Sequence, residues 1–295
     1  MTQTKKREGL LEVPGGRVWY RIEGGGPGIP LLLLHGGPGI GHDYLEPMGV
    51  LGDERPVVFY DQLGCGKSDI PTDTSLWTIE RFVAEADAVR KGLGLERIHL
   101  LGQSWGGWLA IEYMLGKPKG IVSLTLASTS PSSRSFVEGA RELVRKLPGD
   151  THKTIELCEA EGTTDSPEYQ VACMVFYQNH LCRIQPWPAS LLRSMANVFV
   201  SPVYGHMWGP SEFTCTGNLK DWDRENRIAE IQAPTLITTG RYDEMVVPIA
   251  EMMHASIPNS ELRIFEDSSH CAHAEEPEPY AQVLRDFFRR TEAAA

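Results

Sequence analysis

The stretch Arg97-Ile98-His99-Leu100-Leu101-Gly102-Gln103-Ser104-Trp105-Gly106 carries the reading on which the fold turns. Residues 97–101 form a short apolar run that reads as a strand, and residues 105–115 read as a helix. A GxSxG pattern therefore sits on a sharp strand-to-helix turn. A serine at such a turn takes a strained backbone conformation, and glycine is needed on either side because Cβ atoms there would collide with the neighbouring chain. The turn lifts the hydroxyl above the sheet edge, and the helix start behind it offers unpaired N–H groups to a developing oxyanion. Ser104 is thus the candidate nucleophile.

Working outward, further apolar runs occur at residues 18–22, 30–34, 56–60, 121–127, 234–239 and 261–265. Several are apolar throughout, as expected of strands covered on both faces. Residues 77–93 place Ile79, Phe82, Val83, Ala86 and Val89 on one helical face. Strands alternating with helices imply an α/β fold built on a mostly parallel sheet. The alternation stops after Ala127. Residues 130–230 hold helical stretches, such as 136–147 and 168–181, but no comparable strand run. The expected organisation is a core formed by residues 1–129 and 231–295, with residues 130–230 inserted as a helical lid.

A serine is a poor nucleophile at neutral pH without a base, and the base needs an orienting acid. Gly240-Arg241-Tyr242-Asp243 follows the run at 234–239, and Asp267-Ser268-Ser269-His270 follows that at 261–265. Loops at the carboxyl ends of parallel strands converge on one crevice, so Ser104, Asp243 and His270 can meet. His273 is a rival base three residues on, whereas His99 lies within a strand and reads as structural. A second glycine-rich segment, His35-Gly36-Gly37-Pro38-Gly39, follows the run at 30–34. The N–H of Gly37 can pair with that of Trp105 to hold a tetrahedral oxyanion.

Other chemistries fit poorly. Asp61-Gln62-Leu63-Gly64-Cys65-Gly66-Lys67-Ser68 ends like a phosphate-binding loop but has Asp61 where the first glycine is required. Residues 24–28 open no helix, so a dinucleotide fingerprint is unsupported. The 295 residues carry a net charge of −11, with no basic stripe for nucleic acid. Six cysteines are scattered without a CxxC pair, which argues for buried reduced thiols rather than a zinc site or disulfide framework. The longest aliphatic run, Leu31 to Leu34, is far too short to span a bilayer, and the N-terminal segment lacks a signal-peptide core. A cytoplasmic protein is expected, with no cofactor, no metal and neither a nucleic-acid nor a membrane partner.

Taken together, HGGPG, DQLGCGKSD, GQSWGG, GPSEFTCTG, TGRYDE and DSSH resemble the proline iminopeptidase family of α/β-hydrolases, close to its tricorn-interacting aminopeptidase and amino-acid amidase branch. The likeness runs from about residue 10 to 290 and includes the chain order Ser, Asp, His. It implies an eight-stranded sheet with a lid after the sixth strand. It also implies a serine hydrolase that removes an unblocked N-terminal residue, proline or another small or apolar one, from short peptides or amino-acid amides. By position, Ser104, Asp243 and His270 match the triad, and Gly37 and Trp105 the oxyanion donors. Glu212, Glu244 and, less closely, Tyr204 match the residues that hold the substrate amine. The sequence departs from the family at Cys271-Ala272-His273 and at Trp208, which bears on pocket size. A carboxylesterase or lactonase would use the same triad without the acidic clamp, and a ligand receptor on this fold would use neither.

Overall fold

The four leucines of β3 (Leu31–Leu34) are all buried, and successive residues serve opposite faces of the sheet. Leu32 and Leu34 join the core cluster that includes Phe82 and Trp108, while Leu31 and Leu33 join the cluster that includes Phe287 and Phe288. This follows from the two-residue period of a strand, and it is why the run carries no polar residue. The computed structural model describes residues 6–294. Among them, β1 (Lys6–Val13), β2 (Gly16–Glu23), β3, β4 (Val57–Tyr60), β5 (Ile98–Gln103), β6 (Ile121–Ala127), β7 (Thr235–Gly240) and β8 (Ser260–Phe265) form one sheet in the order β1-β2-β4-β3-β5-β6-β7-β8. The β1–β2 and β2–β4 pairs are antiparallel and all others parallel, so the expected eight-stranded, mostly parallel sheet is present.

The apolar runs of the sequence account for β2 to β8. They pass over β1, where Lys-Arg-Glu-Gly-Leu-Leu-Glu-Val lies on the sheet edge with most side chains exposed or half-buried. Charged edge residues discourage pairing with other chains and remove the apolar signal.

Helices α1 (Ile79–Gly92) and α2 (Trp105–Leu115) pack with the first of the two clusters. Thr78 caps α1 by accepting the Arg81 N–H, and α2 is buried nearly all round because it runs beneath the site. Between β6 and β7 come α3 (Ser133–Val144), α4 (Thr151–Glu161), α5 (Pro167–His180), α6 (Ala189–Ala196) and α7 (Val203–Met207). Residues 130–230 supply none of the described sheet strands. Helix α5 starts with Ser166 accepting the Tyr169 N–H and proline at its first position, a favoured opening because that N–H is unpaired in any helix. After β7 come α8 (Val247–Ser256), the short α9 (Ala272–Glu275) and α10 (Pro277–Ala293). Leu284, Phe287 and Phe288 of α10 cover the second face.

Among the described residues, no helix is long and apolar enough to cross a membrane. All six cysteines are free; Cys215 is half-buried and the other five are buried.

Candidate active site

Ser104 has φ 57° and ψ −125°, the strained conformation its sequence context predicts. A Cβ on Gly102 would come within 2.2 Å of the Gly106 carbonyl oxygen, and one on Gly106 within 2.0 Å of the Leu34 oxygen. Neither position tolerates a larger residue, since both close contacts are to backbone. The turn is tied down at both ends: the Ser104 N–H donates to the Ala127 carbonyl at 3.0 Å, and the Thr129 hydroxyl donates to the Ser104 carbonyl at 2.8 Å.

Asp243 follows β7 and His270 follows β8, and the two meet as the topology requires. His270 Nδ1 lies 2.8 Å from Asp243 Oδ1. The buried Asp243 carboxylate also accepts the Met245 N–H at 2.9 Å and the Thr239 hydroxyl at 3.1 Å, so its orientation is fixed. Ser104 and His270 line one cavity, but no hydrogen bond joins their side chains. Instead His270 Nε2 faces Glu244 Oε1 at 3.6 Å. Such contacts are often loose before substrate binds. The end of α5 steadies the same loops: the N–H groups of His270 and Cys271 donate to the carbonyls of His180 and Leu181, each at 3.1 Å.

The rival histidines are committed elsewhere. His273 Nε2 lies 3.0 Å from the Tyr44 carbonyl, and burial depresses the pKa of its ring to about 4. His99 sits between Ser123 and Glu292, stacked on Phe288, with burial likewise holding it to about 4.

Gly37 and Trp105 line a small cavity together with Ser104. Among the described residues neither backbone N–H finds a hydrogen-bond partner, which leaves two donors free. The segment holding them depends on residues that the motif reading passed over. Gln62 donates from its backbone to His35 Nε2 at 2.9 Å and from its side chain to the His35 carbonyl at 2.8 Å. Its side-chain oxygen accepts the Trp105 indole N–H at 2.9 Å. The turn that mimics a phosphate loop thus clamps the two glycine-rich turns together. A second chain of bonds runs from the Gly36 N–H to the Tyr44 hydroxyl (2.7 Å), from that hydroxyl to Gln103 Oε1, and from Gln103 Nε2 to the His270 carbonyl (3.2 Å). Gln103 was visible in GxSxG only as a variable position; its partners are distant in sequence.

Glu212, Glu244 and Tyr204 border the same cavity as Ser104 and His270. The Tyr204 hydroxyl donates to Glu212 Oε1 at 2.6 Å. Glu244 is fully buried, and neither of its carboxylate oxygens has a hydrogen-bond partner. Burial raises the pKa of both glutamates, and for Glu244 the charges of Glu212 and Asp243 raise it further, well above the usual carboxylate range. Such a pair is satisfied by a cation that donates hydrogen bonds. His42, Asp43 and Glu46 also cluster, but His42 Nδ1 is bonded to Asp61, and Arg193 pairs with both acids.

The sheet order, the serine on its strained turn and the Asp–His pair define an α/β-hydrolase. Residues 29–277 match the family described as alpha/beta hydrolase fold. The chain is 42% identical over 281 residues to a proline iminopeptidase of Heyndrickxia coagulans, covering 95% of this chain and 98% of that one. It is 40% identical over 284 residues to a proline iminopeptidase of Saccharolobus solfataricus, covering 95% and 91%. The crystal structure of the Mycobacterium smegmatis proline iminopeptidase superposes with a TM-score of 0.91 at 36% identity, covering 98% of this chain and 99% of that one. The chain belongs to the proline iminopeptidase family of hydrolases.

Proposed function

We propose that this chain is a serine aminopeptidase that releases an unblocked N-terminal residue, proline or a small apolar one, from short peptides or amino-acid amides. The observation that carries the reading is Glu244, a buried carboxyl group beside the Asp243–His270 pair that has no hydrogen-bond partner. A primary ammonium, or the secondary ammonium of proline, at the substrate's N-terminus supplies the missing donors, with Glu212 and Tyr204 as its other neighbours. An esterase that takes uncharged substrates has no use for such a group.

In the proposed reaction Ser104 Oγ attacks the first carbonyl carbon and its proton passes to His270. The imidazolium is stabilised and oriented by Asp243, and the oxyanion is held by the N–H groups of Gly37 and Trp105. The C–N bond breaks, and His270 returns the proton to the departing amine. Water, deprotonated by the same imidazole, then attacks the acyl-enzyme, frees the amino acid and restores Ser104. The helices at 130–230 act as a lid that shields the ammonium from water, strengthening its pairing with the carboxylates. No metal or cofactor has a part in these steps. Six unpaired cysteines suit residence in the reducing cytoplasm.

Hydrolysis of proline nitroanilide tests the reading. The wild-type protein should turn it over and be labelled at Ser104 by a fluorophosphonate, and Ser104→Ala should do neither. Turnover retained by that variant would remove Ser104 as the nucleophile.

A further inference from the structure

Ser104 stands between two unequal cavities. One, of about 10 Å³, is walled by Trp105, Trp108, Phe136, Trp208 and Met245. It has room for roughly one water. The other, of about 400 Å³, lies in the range of a small-ligand pocket. Gly37 and Glu212 border both, so the carbonyl under attack and the ammonium belong where the cavities meet.

Much of the larger cavity's lining is apolar, including Met174, Leu181, Leu192, Met195, Val198 and Phe199. Toward solvent, Met174 is 40% exposed, Leu192 52% and Phe199 87%. Large apolar side chains gathered at a cavity mouth are costly to leave bare, and they mark a binding surface. The charged groups on this lining, among the described residues, are Glu212 and Glu244, with His270 the one residue able to carry positive charge. Arg193, beside Leu192 on α6, is paired with Asp43 and Glu46.

A dipeptide bound with its ammonium at the glutamates would bring its own C-terminal carboxylate into this cavity. There it meets an apolar wall and no lysine or arginine to pair with. An uncharged apolar group in the same place gains by burial instead. We infer that the larger cavity is the leaving-group subsite and that it selects aminoacyl amides whose amine half is bulky, apolar and uncharged.

This rests on the aminopeptidase reading, and the test separates the two. The probes are prolyl-phenylalanine and prolyl-phenylalanine amide, which differ in one charge, assayed as kcat/KM with the wild-type protein. The expected result is a preference of at least ~10-fold for the amide, since an unpaired charge is a strong means of exclusion. Equal values, or preference for the free acid, would overturn the inference and leave the aminopeptidase reading standing. Cleavage of neither would sink both. A variant tests the location: Phe199→Arg adds a cation at an exposed position on this lining and should narrow the preference roughly two- to fivefold, the range of an exposed ion pair. An unchanged ratio in that variant would contradict the assignment of this cavity to the leaving group.

Discussion

Two buried acidic regions lie above the carboxyl edge of the sheet, one in the turn after β4 and one in the turn after β7, and they are built in opposite ways. In the first, Asp61 accepts the His42 N–H at 2.8 Å and the Lys67 N–H at 2.9 Å, with His42 Nδ1 at 2.7 Å. Burial acts to raise its pKa, but the bond from His42 and the other donors outweigh it, and the carboxyl sits below the ordinary range. In the second, Asp243 is equally well supplied, while the adjacent Glu244 has no hydrogen-bond partner and burial lifts its pKa well above that range. An acid saturated from within the protein holds a loop in place. An acid left unsaturated at a cavity wall costs stability, and that cost is recovered when a cation binds.

The contrast can be broken at each acid. Asp243→Asn should lower kcat by about ten-thousand-fold, because the imidazole loses its oriented partner, with KM much less affected. A loss mainly in KM would instead assign Asp243 to substrate binding. Glu244→Gln should lower kcat/KM for free-amine substrates by at least ~30-fold, the low end of the cost of stripping a partner from a buried charge. Uniform losses on free and N-acetylated substrates would show a general disturbance rather than a lost clamp.

The raised pKa values of Glu212 and Glu244 predict a pH effect with a definite sign. The proposed clamp would attract an ammonium only when ionised, so selectivity for free over N-acetylated amines should climb as pH rises through those raised values. Taking this ratio cancels every pH effect common to the two substrates. A ratio that stays flat from pH 4 to 8 would count against the clamp.

Stability should change least, and in opposite directions. A buried acid with a raised folded pKa favours the folded state at low pH, and that contribution is lost as pH rises from the unfolded pKa through the folded one. Removing the charge with Glu244→Gln should therefore raise Tm of the ligand-free protein at neutral pH by a few degrees, roughly 2–4 °C per kcal/mol. Asp61 has the reverse sign: its depressed pKa stabilises above the unfolded value, and the benefit is lost as pH falls through the folded one. Asp61→Asn should lower Tm at neutral pH. Thermal scans of both variants compare the two regions directly, and shifts of the same sign would erase the distinction.

Much of this was legible in the sequence because it depends on local patterns. Apolar or β-branched runs mark β2 to β8, most plainly β3 and β4, whose residues are all buried. The strained serine shows through its glycines, and Asp243 and His270 show through their positions just past strand ends. The edge strand β1 was not legible, because exposure gives it a polar alternation. Glu212 and Glu244 could be singled out only through family resemblance: nothing local separates an unsatisfied buried glutamate from a solvated one. The Gln62 and Gln103 clamps were hidden for a related reason, as their partners at His35, Trp105 and His270 are brought together only by the sheet order. The distance at which His270 Nε2 stands from Glu244 is likewise a property of packing.

The most direct test of the central claim compares kcat/KM for proline nitroanilide and its N-acetyl derivative with the wild-type protein. The unsatisfied carboxylates predict at least ~30-fold faster turnover of the free amine. Equal turnover of the two would contradict the assignment of Glu212 and Glu244 as the amine site.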